Sequence, residues 1–342
     1  MAENQDIKFN RKAFLTDLSK SISLIEQVEE MGAGLADEGV EQLLLVGCGA
    51  PHYMFRAINM WVAGMISEKF IAHLYPAELT QAGYALNERT AVIFGSHSGK
   101  TAETVAGADS IRKTEARSVA ITQHADSPLA KKVHRAISYG ATKQGYFSSV
   151  ILTLALVNGF LRRLLPRWHG HSRLRSSLHN LPRALADAKQ TSLTQGIQHA
   201  KSLRKAESVF VIGCGPMYTT AYVFAGCFLM EMQRINAHPI HALDFFHGPF
   251  ELLDATTPTI LLLGEGVYRP YTERVRDFCM RYMGGCICYD ASTFEMSGID
   301  ALIRPIAAPF IVDAALTNVV EQLAILRDHP LDTRRYMGKV EY

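Results

Sequence analysis

Two nearly continuous apolar runs, Gln42–Gly49 (QLLLVGCG) and Ser208–Gly215 (SVFVIGCG), each end in Gly-Cys-Gly and lead into a segment of helical period. Runs without alternation suit strands buried on both faces, which is the habit of parallel sheets. More follow in each half: Ala91–Gly95 and Ser118–Thr122 in the first, Thr259–Gly264 and Gly285–Tyr289 in the second. Strands alternating with helical stretches predict an α/β fold of parallel sheets flanked by helices. The repetition predicts two copies of one unit. Residues 1–38 read as amphipathic helix, with Phe14, Leu18, Ile22 and Leu24-Ile25 on one face. The longest apolar run, Phe147 to Leu161, is too short to span a bilayer and includes Ser148, Ser149, Thr153 and Asn158, so it predicts a buried helix. The expected organisation is N-terminal helices over 1–38, α/β domains over 39–165 and 206–325, a linker with a helix over 166–205, and a tail over 326–342.

Composition narrows the function classes. The 342 residues are 48% hydrophobic and 20% charged, which is globular and leaves no disordered block. A net charge of +2 gives no basic field for nucleic acid. Six cysteines include no C-x-x-C pair, so reduced thiols and a cytoplasmic setting are expected. The polar, acidic start has no signal-peptide pattern. His169 and His171 lack acidic or cysteine companions, so no metal is expected there. The arginines at 162, 163, 173 and 175 read as solvated faces.

The glycine-rich turns decide between phosphate chemistries. Against G-x-G-x-x-G, Gly47 and Gly49 fit but His52 stands in the third place; in the second copy Gly213 and Gly215 fit and Tyr218 does not. That argues against a dinucleotide, and no cofactor is expected. Gly95-Ser96-His97-Ser98-Gly99-Lys100-Thr101 is one residue short of a Walker A spacing. A single phosphate needs only a helix N-terminus and nearby hydroxyls. Ser96, Ser98 and Thr101 supply hydroxyls between a strand and a helix, although Ser98 or Thr101 could equally be a helix cap. In the second copy Glu231 lies within a helical apolar pattern, and His247 follows at a Gly-Pro turn. A carboxylate and an imidazole can move protons between adjacent sugar carbons. Phe228, Met230 and Met232 are spaced as packing that would desolvate Glu231.

Gly-Cys-Gly, S-x-S-G-x-T, a Glu-bearing helix and H-G-P together resemble tandem SIS (sugar isomerase) proteins. The likeness runs from about residue 40 to the terminus. F-F-H-G-P-F-E at 245–251 and the ending R-R-Y-M-G-K-V-E-Y at 334–342 narrow it to the fructosamine-6-phosphate deglycases. That resemblance implies two tandem flavodoxin-like three-layer sandwiches and catalysis by Glu231 and His247. It also implies substrate or phosphate contacts at Gly49, Ser96, His97, Ser98, Thr101, Asp244 and Lys339. Pro51 stands where relatives usually have a serine, and Asp244 where they have a glutamate.

The implied activity is cleavage of a phosphorylated fructosamine, an amino acid or amine on C1 of fructose 6-phosphate. Glucose 6-phosphate and free amine would be released through an enaminol and an imine, without metal or redox cofactor. Rival readings are an aldose–ketose phosphate isomerase, an ammonia-using isomerase, and a non-catalytic sugar-phosphate sensor. Glutamine use is not expected, because no amidase segment precedes the first copy. The resemblance further implies a homodimer with shared active sites, His247 serving the neighbour's pocket, and no nucleic-acid or membrane partner. Gly248-Pro249 beside Phe245, Phe246 and Phe250 suits such an interface. The tail, with Arg334, Arg335, Tyr336, Lys339 and Tyr342, is expected to fold over the active site.

Overall fold

The computed structural model describes residues 6–64, 71–79, 81 and 83–341. Residues 1–5 of the N-terminal segment and Tyr342 of the ending lie outside the described residues. The chain forms two compact units, Lys12–Pro182 with Gly298–Ile303, and Met1–Arg11 with Arg183–Ser297 and Arg304–Tyr342.

The first unit opens with helices α1 (Arg11–Ser23) and α2 (Ile25–Asp37). In α1 it is Ser21, not Ile22, that joins Phe14 and Leu18 on the buried face. The elements β1 (Gln42–Gly47), α3 (Ala50–Ala63), β2 (Ile71–Leu74), β3 (Thr90–Gly95), α4 (Ala102–Ile111), β4 (Arg117–Thr122), β5 (Arg135–Ser138) and α5 (Gly145–Leu164) follow. All strand pairs are parallel, in the order β2-β1-β3-β4-β5. That is the flavodoxin-like order, whose switch point lies between β1 and β3. The chain leaves β1 to one side and β3 to the other, so their carboxyl ends flank a crevice. Gly47 pairs with Gly95 there, which brings the two glycine loops side by side. Beneath, Leu44, Val46, Val92, Phe94 and Ala120 form core with Ala108 and Ile111 of α4.

Helix α6 (His171–Thr191) contains the division at Pro182. In the second unit come α7 (Leu193–Leu203), β6 (Ser208–Gly213), α8 (Met217–Tyr222), β7 (Asn236–His241), β8 (Thr259–Leu263), α9 (Arg269–Tyr282), β9 (Ile287–Asp290) and α10 (Arg304–Leu326). The sheet order is β7-β6-β8-β9, again all parallel. Two parallel sheets with helices are what the repeated pattern predicts. The edge strands β2, β5 and β7 carry no such pattern; β7 reads Asn-Ala-His-Pro-Ile-His and is mostly half-buried. Its Pro239 is tolerated because β7 is an edge.

Helices α5 and α10 are apolar and long enough to cross a membrane by length and composition, yet most of each is buried inside the fold. The Phe147–Leu161 run is thus a core helix, as expected. The four arginines expected on solvated faces also carry partners there. Arg162 meets Glu30 and Arg163 meets Asp37, while Arg173 stands 3.6 Å from Asp300. Arg175 bonds Glu29, a buried carboxylate that also accepts from Asn158 Nδ2 at 2.7 Å. Burying Glu29 required that partner, because an unpaired buried carboxylate is too costly. His171 is half-buried and bonds Asn158 Oδ1 and Leu165 O, a structural role without metal-ligand companions among the described residues.

Candidate active site

In the first unit, the β3–α4 turn gathers Ser96, His97, Ser98 and Thr101. Ser96 is buried, and its Oγ accepts the Gly99 N–H at 3.2 Å and lies 3.1 Å from Thr101 Oγ1. Ser96 therefore shapes the loop, while Ser98 stands exposed and accepts the Lys100 N–H. Thr101 occupies the cap position of α4 but makes no side-chain cap bond. Its hydroxyl and the first N–H groups of α4 can thus turn to an anion. Gly99 has φ +62°, and a Cβ there would meet Ser127 Oγ at 2.3 Å, so the turn needs glycine.

His97 stands on the same turn. Its Nδ1 lies 2.8 Å from Tyr139 Oη, and Ser149 Oγ donates to the same phenol oxygen at 3.4 Å. Burial pushes the Tyr139 hydroxyl up to about 12, so it keeps its proton and can donate it to Nδ1. That leaves the ring proton of a neutral His97 on Nε2. Desolvation also holds His97 below its ordinary range, with His124 adding to the effect. Tyr139 was not legible in advance as its partner; only the fold brings the start of α5 and the end of β5 to this loop.

The neighbouring β1–α3 turn is a poorer anion site. Gly49 takes the left-handed conformation (φ +59°) before α3, but Pro51 in the first turn has no N–H to offer. Gly49 therefore adjoins the β3–α4 turn without a matching donor set. The Cys48 thiol is pushed up by burial, as befits an inert packing residue.

The same crevice in the second unit differs. After β8 the chain reads Gly264-Glu265-Gly266-Val267-Tyr268-Arg269, with no hydroxyl cluster. Glu265 is gripped by Arg304 through contacts of 2.6–3.0 Å, and Arg269 forks onto Asp290 at 2.6 and 2.7 Å. The Tyr268 ring stands where a Cβ of Gly215 would lie. A carboxylate and a ring thus occupy the second copy where the first offers hydroxyls. His241 Nε2 accepts the Gly215 N–H at 3.3 Å, and His238 stacks on Phe210.

Glu231 lies in the second unit on a π-type helical segment, Val223–Met232, that continues α8. Wide π turns recur at functional sites because they re-aim side chains. The segment ends with Arg234 at φ +53°, a left-handed position where glycine is the cheaper residue. Of the side chains expected to wall Glu231, Met230 is exposed and lines a pocket beside it, while Phe228 and Met232 are half-buried. The carboxylate also meets a cation, with Arg334 Nη2 2.8 Å from Glu231 Oε1. The tail therefore reaches Glu231, and Arg334 Nη1 also donates to Leu331 O at 2.7 Å. Met230, Glu231, Arg234, Arg334, Arg335 and Tyr336 line an open pocket of about 580 Å³, together with Met337. Lys339 is exposed, its N–H donating to Tyr336 O in a turn.

His247 and Asp244 are both exposed on the turn after β7, where the His247 N–H donates to Asp244 O at 2.9 Å. No hydrogen bond or ion pair joins His247 to Glu231 among the described residues. The aromatic cluster expected at an interface also packs within its own unit. Phe245 is fully buried, and Phe245, Phe246 and Phe250 all pack on Phe278 at 5.6–5.7 Å within their own unit. Phe245 belongs to the core, and the half-buried Phe246 and Phe250 pack against it, which braces the Gly248-Pro249 turn from beneath.

Comparison with known proteins places this geometry. The SIS-domain pattern matches residues 38–163. The fructosamine deglycase FrlB of Bacillus subtilis is 31% identical, over 92% of this chain and 97% of that protein. The fructoselysine 6-phosphate deglycase of Escherichia coli is 27% identical, over 95% of this chain and 93% of its own. A crystal structure from Bacillus subtilis, provisionally described as a phosphosugar isomerase, superposes with a TM-score of 0.84 at 29% identity. It covers 95% of this chain and 100% of that one.

Proposed function

We propose, from the premise that this chain belongs to the SIS-domain family of fructosamine deglycases, that it cleaves a 6-phosphorylated fructosamine to glucose 6-phosphate and free amine. The observation that carries the reading is Glu231, presented to an open pocket by a π-helical segment and paired with a tail arginine. Relatives that match nearly the whole chain include two named as deglycases, beside an agropine synthesis conjugase.

The C1–N bond of a ketoamine is a stable amine and resists direct hydrolysis. Glu231 takes a proton from C1, giving an enaminol, and returns it to C2, giving a C1 imine. His247 serves as general acid and base on the sugar oxygen. Water then adds to the imine, and the carbinolamine collapses to the aldehyde and the amine. The phosphate is assigned to Ser98, Thr101, the α4 N-terminus and His97, with Ser96 holding the turn and Gly49 beside it. Asp244 and Lys339 are assigned to the sugar side and to the tail's closure. We assign the SIS domains to 39–165 and 206–325, joined by 166–205, with helices over 1–38 and a tail over 326–342. Six free thiols suit a reducing cytoplasm.

Incubation with a panel of 6-phosphorylated fructosamines tests the reading. Equal release of glucose 6-phosphate and amine is expected. Interconversion of fructose and glucose 6-phosphates without amine release would make the chain an isomerase; binding without turnover would make it a sensor. Ser98→Ala with Thr101→Ala is expected to raise KM at least ~100-fold, since each bond to a charged group contributes about 1.5–3 kcal/mol. An unchanged KM would make those hydroxyls loop caps.

His247 stands exposed on a braced turn, where an acid–base group is fully wetted. A second copy covering it would desolvate it, so the assignment includes a homodimer with shared sites. Mixing Glu231→Gln with His247→Ala protein should then restore part of the activity by subunit exchange. Verified mixed dimers that stay inactive would return both residues to one chain.

A further inference from the structure

The pocket beside Glu231 holds more positive charge than a neutral sugar needs. Its lining carries one carboxylate, Glu231, and three guanidinium groups, on Arg234, Arg334 and Arg335. Only Arg334 is bonded to Glu231. Arg335 is exposed, and its guanidinium sits 5.9 Å from the Tyr336 ring centroid. Arg234 keeps its place despite a left-handed backbone at φ +53°. Glycine would hold that turn without strain, so the retained side chain points to use. Planar forked guanidinium groups match a carboxylate.

A second difficulty concerns the base. Glu231 tied to Arg334 at 2.8 Å is poorly placed to take a carbon-bound proton. Something must draw Arg334 away when substrate arrives.

Resting on the deglycase reading, we infer that Arg234, Arg334 and Arg335 form a carboxylate subsite for the amine part of the substrate. The 6-phosphofructosamine of an amino acid carries such a carboxylate. That carboxylate takes Arg334 from Glu231, so substrate recognition and release of the base are one ion-pair exchange. The exchange conserves charge: one carboxylate replaces another on the same guanidinium, and no proton moves.

The test compares adducts that differ only in this group: 6-phosphofructosyl-glycine against 6-phosphofructosyl-methylamine, and the phenylalanine against the phenethylamine adduct. Glucose 6-phosphate release is followed with the full chain. The wild type should prefer the carboxylated member of at least one pair by roughly 100-fold in kcat/KM, the scale of two charged hydrogen bonds. The preference should appear in kcat as well as KM, because Glu231 stays paired without the carboxylate. Arg335→Ala and Arg234→Gly should each narrow it to under about 10-fold, the loss falling on the carboxylated adduct. Arg335→Lys should recover part of it. Arg234→Gly should not lower Tm, which separates a binding role from a structural one.

Equal rates on both members of every pair would overturn the subsite and leave the deglycase reading standing. A preference confined to KM would overturn the release of Glu231. Arginine variants that lose both members equally would assign the pocket to the phosphate instead. No cleavage of any adduct would sink the deglycase reading, and the subsite with it.

Discussion

Glu231→Gln is expected to lower kcat by roughly 10³–10⁴-fold, the upper range for removing a positioned general base. The amide has nearly the volume of the acid, and its carbonyl oxygen can still accept from Arg334, which stands 2.8 Å from Oε1 in the native chain. Pocket shape should therefore persist, and sugar-phosphate affinity should stay within about threefold. What the amide cannot do is take and return the C1 proton. Two measurements check this: single-turnover release of glucose 6-phosphate, and loss of deuterium from a substrate labelled at C1. The native enzyme should wash the label toward solvent or C2, and the variant should do neither. A variant that keeps normal turnover would remove Glu231 from the chemistry and move the search to Asp244 or to the tail.

The Ser96–Thr101 turn is legible because its information is local. Ser96, Ser98, Gly99 and Thr101 follow directly on a buried strand, and strand–turn–helix order alone brings hydroxyls to a helix N-terminus. The parallel sheets were legible for a similar reason, since strands buried on both faces declare themselves by composition. Edge strand β7 did not, because half its surface is open and the fold asks of it only backbone pairing with β6. The exposure of Met230 beside Glu231 is not legible in an α-helical period, because the segment that carries both residues is of π type. Nothing in the sequence around Glu231 announces Arg334, which meets it through the return of a distant tail. The packing of Phe245, Phe246 and Phe250 on Phe278 is not legible locally, because Phe278 lies on α9 well downstream.

Ending the chain at Thr333 is expected to lower kcat/KM by roughly 10²–10⁴-fold. The deletion removes Arg334, Arg335, Tyr336, Met337 and Lys339, four of which line the pocket. If two of the lost cations make charged hydrogen bonds to substrate, at about 1.5–3 kcal/mol each, that range follows. The fold should survive, because residues 335–341 are exposed and the body of the second unit keeps its core under β6 and β8. Circular dichroism and Tm should therefore stay close to native while turnover collapses. Two effects oppose each other in this experiment. Loss of Arg334 frees Glu231 from its ion pair, which favours the base; loss of the cations and of the Tyr336 wall removes what orients the substrate against it. Orientation should dominate, since misplacing the reacting carbon costs more than one partly exposed ion pair, with side chains 20% and 26% exposed, can return. A truncated enzyme with full activity would make the tail a bystander. One that works faster than the intact chain would make Arg334 a restraint on Glu231 and nothing else, and the substrate's anchor would then have to lie outside the tail.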